Sequence, residues 1–435
     1  MQKVHFIGIG GIGISAIARF LKEKNYIISG SDIKESETVV ELRQEGMEVV
    51  TPHSKDIIKD QDFIVYSAAI KEDNIELKEA REKGIKCYSR KEILPLVLKD
   101  KKVFSVAGAH GKSTTSAMLA SILEGSVIIG AISKQFGSNM KYFESENIIF
   151  EADESDSSFL NSNPYLAVVT NAEPEHMEHY DYDTRKLYAA YKGFLERADI
   201  CVIDAEDEFL STLKMDCIKL YPSKDITDVR LVLRDYQPYM SFNLKNLGRF
   251  EVFGIGYHIA IDASLAILAA ACKMGLEEIK EKLSEYKGIR KRFDILVARK
   301  DYVLIDDYAH HPTEIKATLK SVKEYANLMG INKITAIFQP HKYTRLKVNL
   351  QEFKNCFEGV DDLVILPVYS AGEKSNGIDL QKEFAHLNPL FADKVSRVNE
   401  NIEFNDIFGV KHRLDYGIVI GFGAGDITYQ LRKKI

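Results

Sequence analysis

Lysine followed by serine at the end of a glycine turn is a phosphate-handling pair, and the stretch SVAGAHGKSTTSAML (105–119) presents Lys112 and Ser113 in that setting. Val106 stands five residues before Gly111, where the longer GxxxxGK[ST] spacing wants glycine, so the loop is a short one. An apolar run over 102–107 leads into Gly108-Ala109-His110-Gly111-Lys112, and a helix is expected from Ser113. Amides of such a turn point at phosphate oxygens, the lysine reaches the β/γ-phosphates, and the serine hydroxyl suits Mg²⁺. Oxygen ligands for a hard cation follow at the next strand end, EADESD (151–156), of which Mg²⁺ needs only one or two carboxylates. NAEPEHMEHY (171–180) closes another strand with Asn171, Glu173, His176 and His179, where a histidine near acids suits a second ion or a phosphate.

Two further groups carry unusual residues. GIGGIG, Gly8 to Gly13, follows a strand and opens a helix through Ile14, Ile17, Ala18 and Leu21. Glycines there let the backbone approach a pyrophosphate at a helix N-terminus, and Asp32 is spaced to take a ribose hydroxyl. NAD, a sugar nucleotide and a plain helix-on-strand turn all fit that pattern. In the last third, DDYAHHPTE (306–314) brings two acids and His310-His311, with Pro312 suited to a helix first turn. FQPHKYTR (338–345) brings His341, Lys342 and Arg345, cations that suit a carboxylate or phosphate.

The elements that must hold these residues are legible as Val/Ile-rich runs alternating with helical patterns: 4–9, 62–68, 102–108, 147–153, 166–172, 302–308, 333–340, 362–368 and 416–423. Continuous apolar strands separated by helices imply an α/β protein with buried parallel sheets. Residues 229–256 hold short alternating runs without a helix and predict an antiparallel patch. In open α/β sheets ligands gather where strands end and helices begin, where all three groups fall. The groups divide the chain into 1–99, 100–293 and 294–435.

The bulk properties narrow the function classes. A chain of 435 residues has room for about three domains. The net charge of −6, with small basic clusters such as Arg290-Lys291-Arg292, argues against a nucleic-acid-coating surface. Five scattered cysteines without CxxC spacing indicate neither a disulfide framework nor a zinc site. The N-terminal apolar run is broken by glycines and lacks a cleavage pattern, and no run reaches the ~20 apolar residues of a membrane span. A cytoplasmic protein without membrane or nucleic-acid partners is expected.

A nucleotide-diphosphate-like site, a triphosphate–Mg²⁺ site and a histidine-rich anion site on one chain suggest ATP used to activate a carboxylate. At this point the sequence resembles the Mur ligase family. The motifs HFIGIGGIGIS, AGAHGKSTT, EADESDSSFL, TNAEPEHMEHY, RKRFD, DDYAHHPTEI, FQPHKYTR and GFGAGDI occur in the family's order across nearly the whole chain. The short GxxGK[ST] loop is the family's own form.

The resemblance implies three domains: an N-terminal Rossmann-like parallel sheet, a central P-loop ATPase-type domain containing the antiparallel patch, and a C-terminal Rossmann-like domain. It implies that Gly8, Gly10, Gly11, Gly13 and Asp32 hold the uridine nucleotide. Ala109, His110, Gly111, Lys112, Ser113 and Thr114 would hold ATP phosphates, with His258 and Arg292 also on the nucleotide. Ser113, Glu151 and His176 would hold Mg²⁺ ions. His310, His341, Lys342 and Arg345 would orient substrates. Ile259 and Asp262 stand where the family has asparagines, and Lys342 where arginine is common. The implied reaction joins L-alanine to the lactyl carboxylate of UDP-N-acetylmuramate through an acyl phosphate, releasing ADP and phosphate. A sibling that attaches a recycled peptide to the same nucleotide sugar is the alternative. The base for the amine is open among His310, His311 and His341.

Overall fold

The computed structural model describes residues 1–155, 157–175 and 177–432. The chain divides into two compact units. The first comprises Met1–Val229, Phe242–Val252 and His258–Lys287, and the second comprises Arg230–Ser241, Phe253–Tyr257 and Gly288–Ile435.

The first unit contains two parallel sheets. Strands β1 (Lys3–Ile7), β2 (Ile27–Ser31), β3 (Glu48–Val50), β4 (Phe63–Tyr66) and β5 (Lys86–Ser89) form an all-parallel sheet in the order β3-β2-β1-β4-β5. The order reverses at β1, so a crevice opens at the carboxyl end of that strand, where the first glycine loop lies. The following helix, Ile12–Glu23, buries Ile14, Ile17, Ala18 and Leu21 against the sheet, the face expected from their spacing.

The second sheet takes β6 (Lys102–Ala107), β7 (Ser126–Ile128), β8 (Met140–Lys141), β9 (Asn147–Glu151), β10 (Leu166–Val169), β11 (Ile200–Asp204) and β12 (Ile218–Leu220) in the order β12-β11-β10-β6-β9-β7-β8. Only the short edge strand β8 runs antiparallel to its neighbour. Strand β6 sits in the middle with Val103, Phe104, Val106 and Ala107 buried, which accounts for its unbroken apolar run. Its helix, Lys112–Ile122, is rich in small residues and buried from Ser113 to Ile122. Strands β13 (Ile226–Arg234), β14 (Gln237–Leu244) and β15 (Arg249–Phe253) follow as a three-stranded sheet where the antiparallel patch is expected.

The second unit is built on β16 (Asp294–Arg299), β17 (Tyr302–Asp307), β18 (Ile334–Phe338), β19 (Asp362–Ile365), β20 (Leu390–Phe391) and β24 (Gly417–Phe422), ordered β16-β17-β24-β18-β19-β20. All neighbours pair in parallel except β16 with β17. The long helix Pro312–Met329 begins with Pro312 as expected and ends on Gly330. A small antiparallel sheet of β21 (Ser396–Val398), β22 (Asn401–Asn405) and β23 (Lys411–Leu414) is an addition that the sequence reading does not contain. The α/β class with its parallel sheets is as expected. No helix among the described residues is long and apolar enough to cross a membrane.

Candidate active site

The phosphate loop is built by conformation as much as by residue type. Gly108 and Gly111 have φ of 141° and 79°, values that L side chains rarely adopt. A Cβ on Gly108 would strike the Thr170 hydroxyl, and one on Gly111 would strike the Asp262 carboxylate. The turn between them is braced from the next strand end. Thr170 Oγ1 donates to the His110 carbonyl at 2.5 Å, and Asn171 Nδ2 donates to the same oxygen at 2.9 Å. The His110 amide in turn donates to Asn171 Oδ1 at 3.1 Å. Ala109, Ser113 and Thr114 are buried or nearly so, and the ring of His110 is exposed.

Lys112 is folded back onto its own loop. Its Nζ donates to the carbonyls of Gly108 at 3.0 Å and Ala109 at 3.3 Å, and it pairs with Glu154 Oε1 at 3.0 Å. Glu154 is 1% exposed and its Oε2 is buried without a hydrogen-bond partner among the described residues. Burial pushes its carboxyl above the ordinary range, with Lys112 pulling the other way. Glu151, at the end of β9, accepts from Ser113 Oγ at 2.8 Å and from the Gly130 amide at 2.6 Å. A serine hydroxyl and the Glu151 carboxylate thus meet at one strand end, and the Glu154 carboxylate, three residues on, faces the lysine. Oxygen donors of this kind, one of them carrying an orphaned buried oxygen, fit Mg²⁺, which completes its shell with phosphate oxygens and water. His176, the expected second-ion ligand, lies outside the described residues.

The first glycine loop is organised by Asp32. Its Oδ2 accepts the Gly10 amide at 2.8 Å and its Oδ1 accepts the Ile33 amide at 2.8 Å. The carboxylate therefore shapes the loop directly, a role that spacing alone does not reveal. Arg90 comes from elsewhere: its Nη1 stands 2.9 Å from where a Cβ on Gly13 would be. Its Nη2 also bonds Asp153 Oδ2 at 2.7 Å and Ser158 Oγ at 3.2 Å. Burial raises the Asp153 carboxyl, but Arg90 and Ser155 outweigh it and hold it at about 2. Arg90 joins the glycine loop to the EADES segment, and neither its position in sequence nor its neighbours single it out. His258 stands exposed in the first turn of the helix Tyr257–Ala270, and Asp262 one turn on is buried beside Gly111.

In the second unit the histidines assemble by stacking. His341 lies flat on Tyr369, with ring centres 5.6 Å apart and an interplanar angle of 10°, and His310 meets His341 edge-on at 5.9 Å. The hydrogen bonds settle their tautomers. The Tyr308 carbonyl can only accept, so His310 Nδ1, 2.8 Å away, carries the proton and Nε2 holds the lone pair. Arg345 can only donate, so His341 Nδ1, 2.9 Å from Nη1, is the acceptor and Nε2 carries the proton. Burial, then Arg345, His310 and Lys342, push His341 down to about 4. Burial also lowers His310. Both rings are neutral at pH 7, one a free base and the other a donor. His311 bonds Thr313 Oγ1 at 2.9 Å, which either tautomer allows. Lys342, at φ 67°, precedes the short helix Tyr343–Val348 that carries Arg345. Arg292 is exposed on the loop before β16.

The structure therefore brings the phosphate-loop residues together with Glu151 in the first unit, and His310, His341, Lys342 and Arg345 together in the second. Glu154, Arg90 and Tyr369 are additions. Comparison with known proteins shows matches along the whole chain. Residues 3–102 match the Mur ligase family catalytic domain, 106–221 the Mur ligase middle domain, and 291–404 the Mur ligase glutamate ligase domain. A UDP-N-acetylmuramate–L-alanine ligase from Campylobacter curvus is 73% identical over 432 residues, covering 99% of both chains. One from Helicobacter pylori J99 is 53% identical, covering 100% of this chain and 97% of that one. The crystal structure of the UDP-N-acetylmuramate–alanine ligase of Thermotoga maritima superposes with a TM-score of 0.82 at 28% identity, covering 100% of this chain and 98% of that one. With the motifs, the sheets and these full-length relatives in accord, the chain belongs to the Mur ligase family.

Proposed function

We propose that the protein joins L-alanine to the lactyl carboxylate of UDP-N-acetylmuramate, converting ATP to ADP and phosphate, in peptidoglycan synthesis. The observation that carries the reading is the turn Gly108–Ser113, whose serine meets Glu151 and whose lysine sits over the loop's own carbonyls. The names of relatives 53–73% identical favour L-alanine over a recycled peptide as the amine.

The chemistry follows from what a carboxylate lacks, which is a leaving group. A lactyl carboxylate oxygen attacks the γ-phosphorus, the bond to the bridging oxygen breaks, and ADP departs. The amine then attacks the acyl carbon, and the tetrahedral intermediate expels phosphate. Lys112 and Arg292 are assigned to the charge on the transferring phosphoryl group. Ser113 and Glu151 would hold Mg²⁺, which would supply further charge neutralisation there. His176 is assigned to a second ion. L-Alanine arrives as an ammonium and must lose a proton before it attacks. His310 Nε2 is assigned that proton, because it is the unprotonated nitrogen of a neutral ring. His341 cannot take it, since its Nε2 already carries hydrogen, and it is assigned as a donor to an acyl oxygen. Lys342 and Arg345 are assigned to substrate carboxylate.

Gly8, Gly10, Gly11 and Gly13 are assigned to the uridine diphosphate, with Asp32 holding the loop. His258 is assigned to the nucleotide side of the ATP site. The division 1–99, 100–293 and 294–435 assigns UDP-sugar binding, ATP binding and ligation respectively, a reading supported by the three family segments. Action in the cytoplasm accords with five free cysteines. The deciding experiment is phosphate release with UDP-N-acetylmuramate and MgATP present. Release triggered by L-alanine and not by a tripeptide is expected, and the reverse preference overturns the proposal.

A further inference from the structure

We infer that Asn139 is a positioning residue that ties the first turn of the glycine-loop helix to the Glu151 carboxylate, so that filling the nucleotide-sugar site and filling the metal–ATP site reinforce each other. The inference rests on the roles proposed above for Gly8–Gly13 and for Glu151.

Asn139 lies fully buried just before β8, and its side-chain amide is used on both sides. Nδ2 donates to the Ile12 carbonyl at 2.6 Å and to Ser15 Oγ at 2.9 Å. Oδ1 accepts from Arg19 Nη1 at 2.6 Å, and because a guanidinium can only donate, the orientation of the amide is fixed. Ser15 Oγ donates its own hydrogen to the Ile12 carbonyl at 3.0 Å, so one oxygen in the first helical turn takes two side-chain donors. Arg19 is itself buried, and Glu41 and Glu45 hold it from the other side.

The other end of the tie is short. The Asn139 carbonyl accepts the Ile129 amide at 3.0 Å, which closes the base of the loop between β7 and β8. The next amide, that of Gly130, donates to Glu151 Oε2 at 2.6 Å. A Cβ on Gly130 would stand 2.7 Å from Glu151 Oε1, so the backbone is pressed against that carboxylate. Glu151 thus reaches Ile12 through two adjacent backbone units and one side chain. A buried amide with its donors and its acceptor all engaged holds one geometry, because a shift leaves a group unpaired. A ligand that settles the glycine loop therefore settles Glu151, and the reverse holds by linkage.

The test uses Asn139→Asp in the full-length enzyme, which keeps the side-chain shape and the acceptor for Arg19 and removes both donors. Binding of UDP-N-acetylmuramate is followed by calorimetry with and without the Mg²⁺ complex of a non-hydrolysable ATP analogue. In the parent the complex is expected to tighten that binding at least fivefold, and in Asn139→Asp by less than twofold. The KM for UDP-N-acetylmuramate is expected to rise at least tenfold while that for L-alanine stays within twofold, a split that a general loss of stability would not produce. Gln135→Ala, in the same loop but bonded to Ser121 and Glu285, is expected to keep the parent's coupling. Undiminished coupling in Asn139→Asp, none in the parent, or an equal loss in Gln135→Ala overturns the inference. Should Asn139→Asp not fold, hydrogen exchange on the unmodified enzyme decides. UDP-N-acetylmuramate without metal or ATP is expected to slow the Gly130 amide at least tenfold, and an unchanged rate overturns the tie. Unchanged Mg²⁺ dependence in Glu151→Ala would instead sink the site assignment itself.

Discussion

The phosphate loop of the first unit and the histidine cluster of the second both stand at the carboxyl ends of parallel strands, but they store charge differently. Around Lys112 the cation is matched internally, by Glu154 and two carbonyls, and the acids outnumber it. Around His310 and His341 the rings are neutral and a guanidinium, Arg345, is bonded to a ring nitrogen with no carboxylate pair among the described residues. The first arrangement suits a ligand that brings its own negative charge together with a metal. The second suits a step in which a proton must leave an amine, since a base that is already charged cannot accept one. One architecture thus serves two chemistries through the side chains at its strand ends.

The largest break in that comparison is expected from Lys112→Ala. Ligation should fall by about a hundredfold or more, the scale of losing one electrostatic donor, while the melting temperature stays close to the parent. Near-normal turnover would remove the phosphate loop from the mechanism. His310→Gln should cost roughly a hundredfold in kcat, and the loss should exceed that of His341→Gln in a chase of preformed acyl phosphate with L-alanine. The opposite order would reverse the tautomer assignment.

Magnesium titration sharpens the other side. Glu151→Ala should raise the Mg²⁺ requirement more than Glu154→Ala does, because Glu151 faces the serine and Glu154 faces the lysine. Equal shifts would show that both acids serve the metal. The smallest effect expected is in pH. His310 is lowered from 6.5, so kcat should fall on the acid side with an apparent pKa below that value. Stability moves in the same direction. His341 protonates near 6.5 when unfolded but only near about 4 when folded. The unfolded chain therefore binds more protons between those values, and stability is lost as the pH drops through that window. His341→Gln should weaken this acid sensitivity in melting curves recorded from pH 7 to pH 5.

Much of this contrast is legible in the sequence. The strands over 102–108, 166–172, 302–308 and 416–423 announce themselves because they are buried on both faces, so nearly every residue is apolar. Their ends carry Lys112, His310 and His341 because loops are free to hold polar groups. Less visible was anything defined by distance along the chain. Arg90 reaches Asp153 across 63 residues, and Tyr369 meets His341 from another strand end. In the sequence Glu154 is one acid among several, and only burial with an orphaned oxygen distinguishes it. Asp32 has the expected spacing, but its contacts show it holding the Gly10 amide. The sheet over 396–414 has short strands and mixed polarity, which leave little periodic signal.

The grip of Glu154 on Lys112 has a thermodynamic consequence for nucleotide entry. Were the lysine to swing to a phosphate, as its proposed role requires, it would leave behind a desolvated acid whose proton affinity is already elevated. Without a divalent ion that acid should capture a proton from solution, so calorimetric heats for free ATP should vary with the ionisation enthalpy of the buffer, and much less so for MgATP.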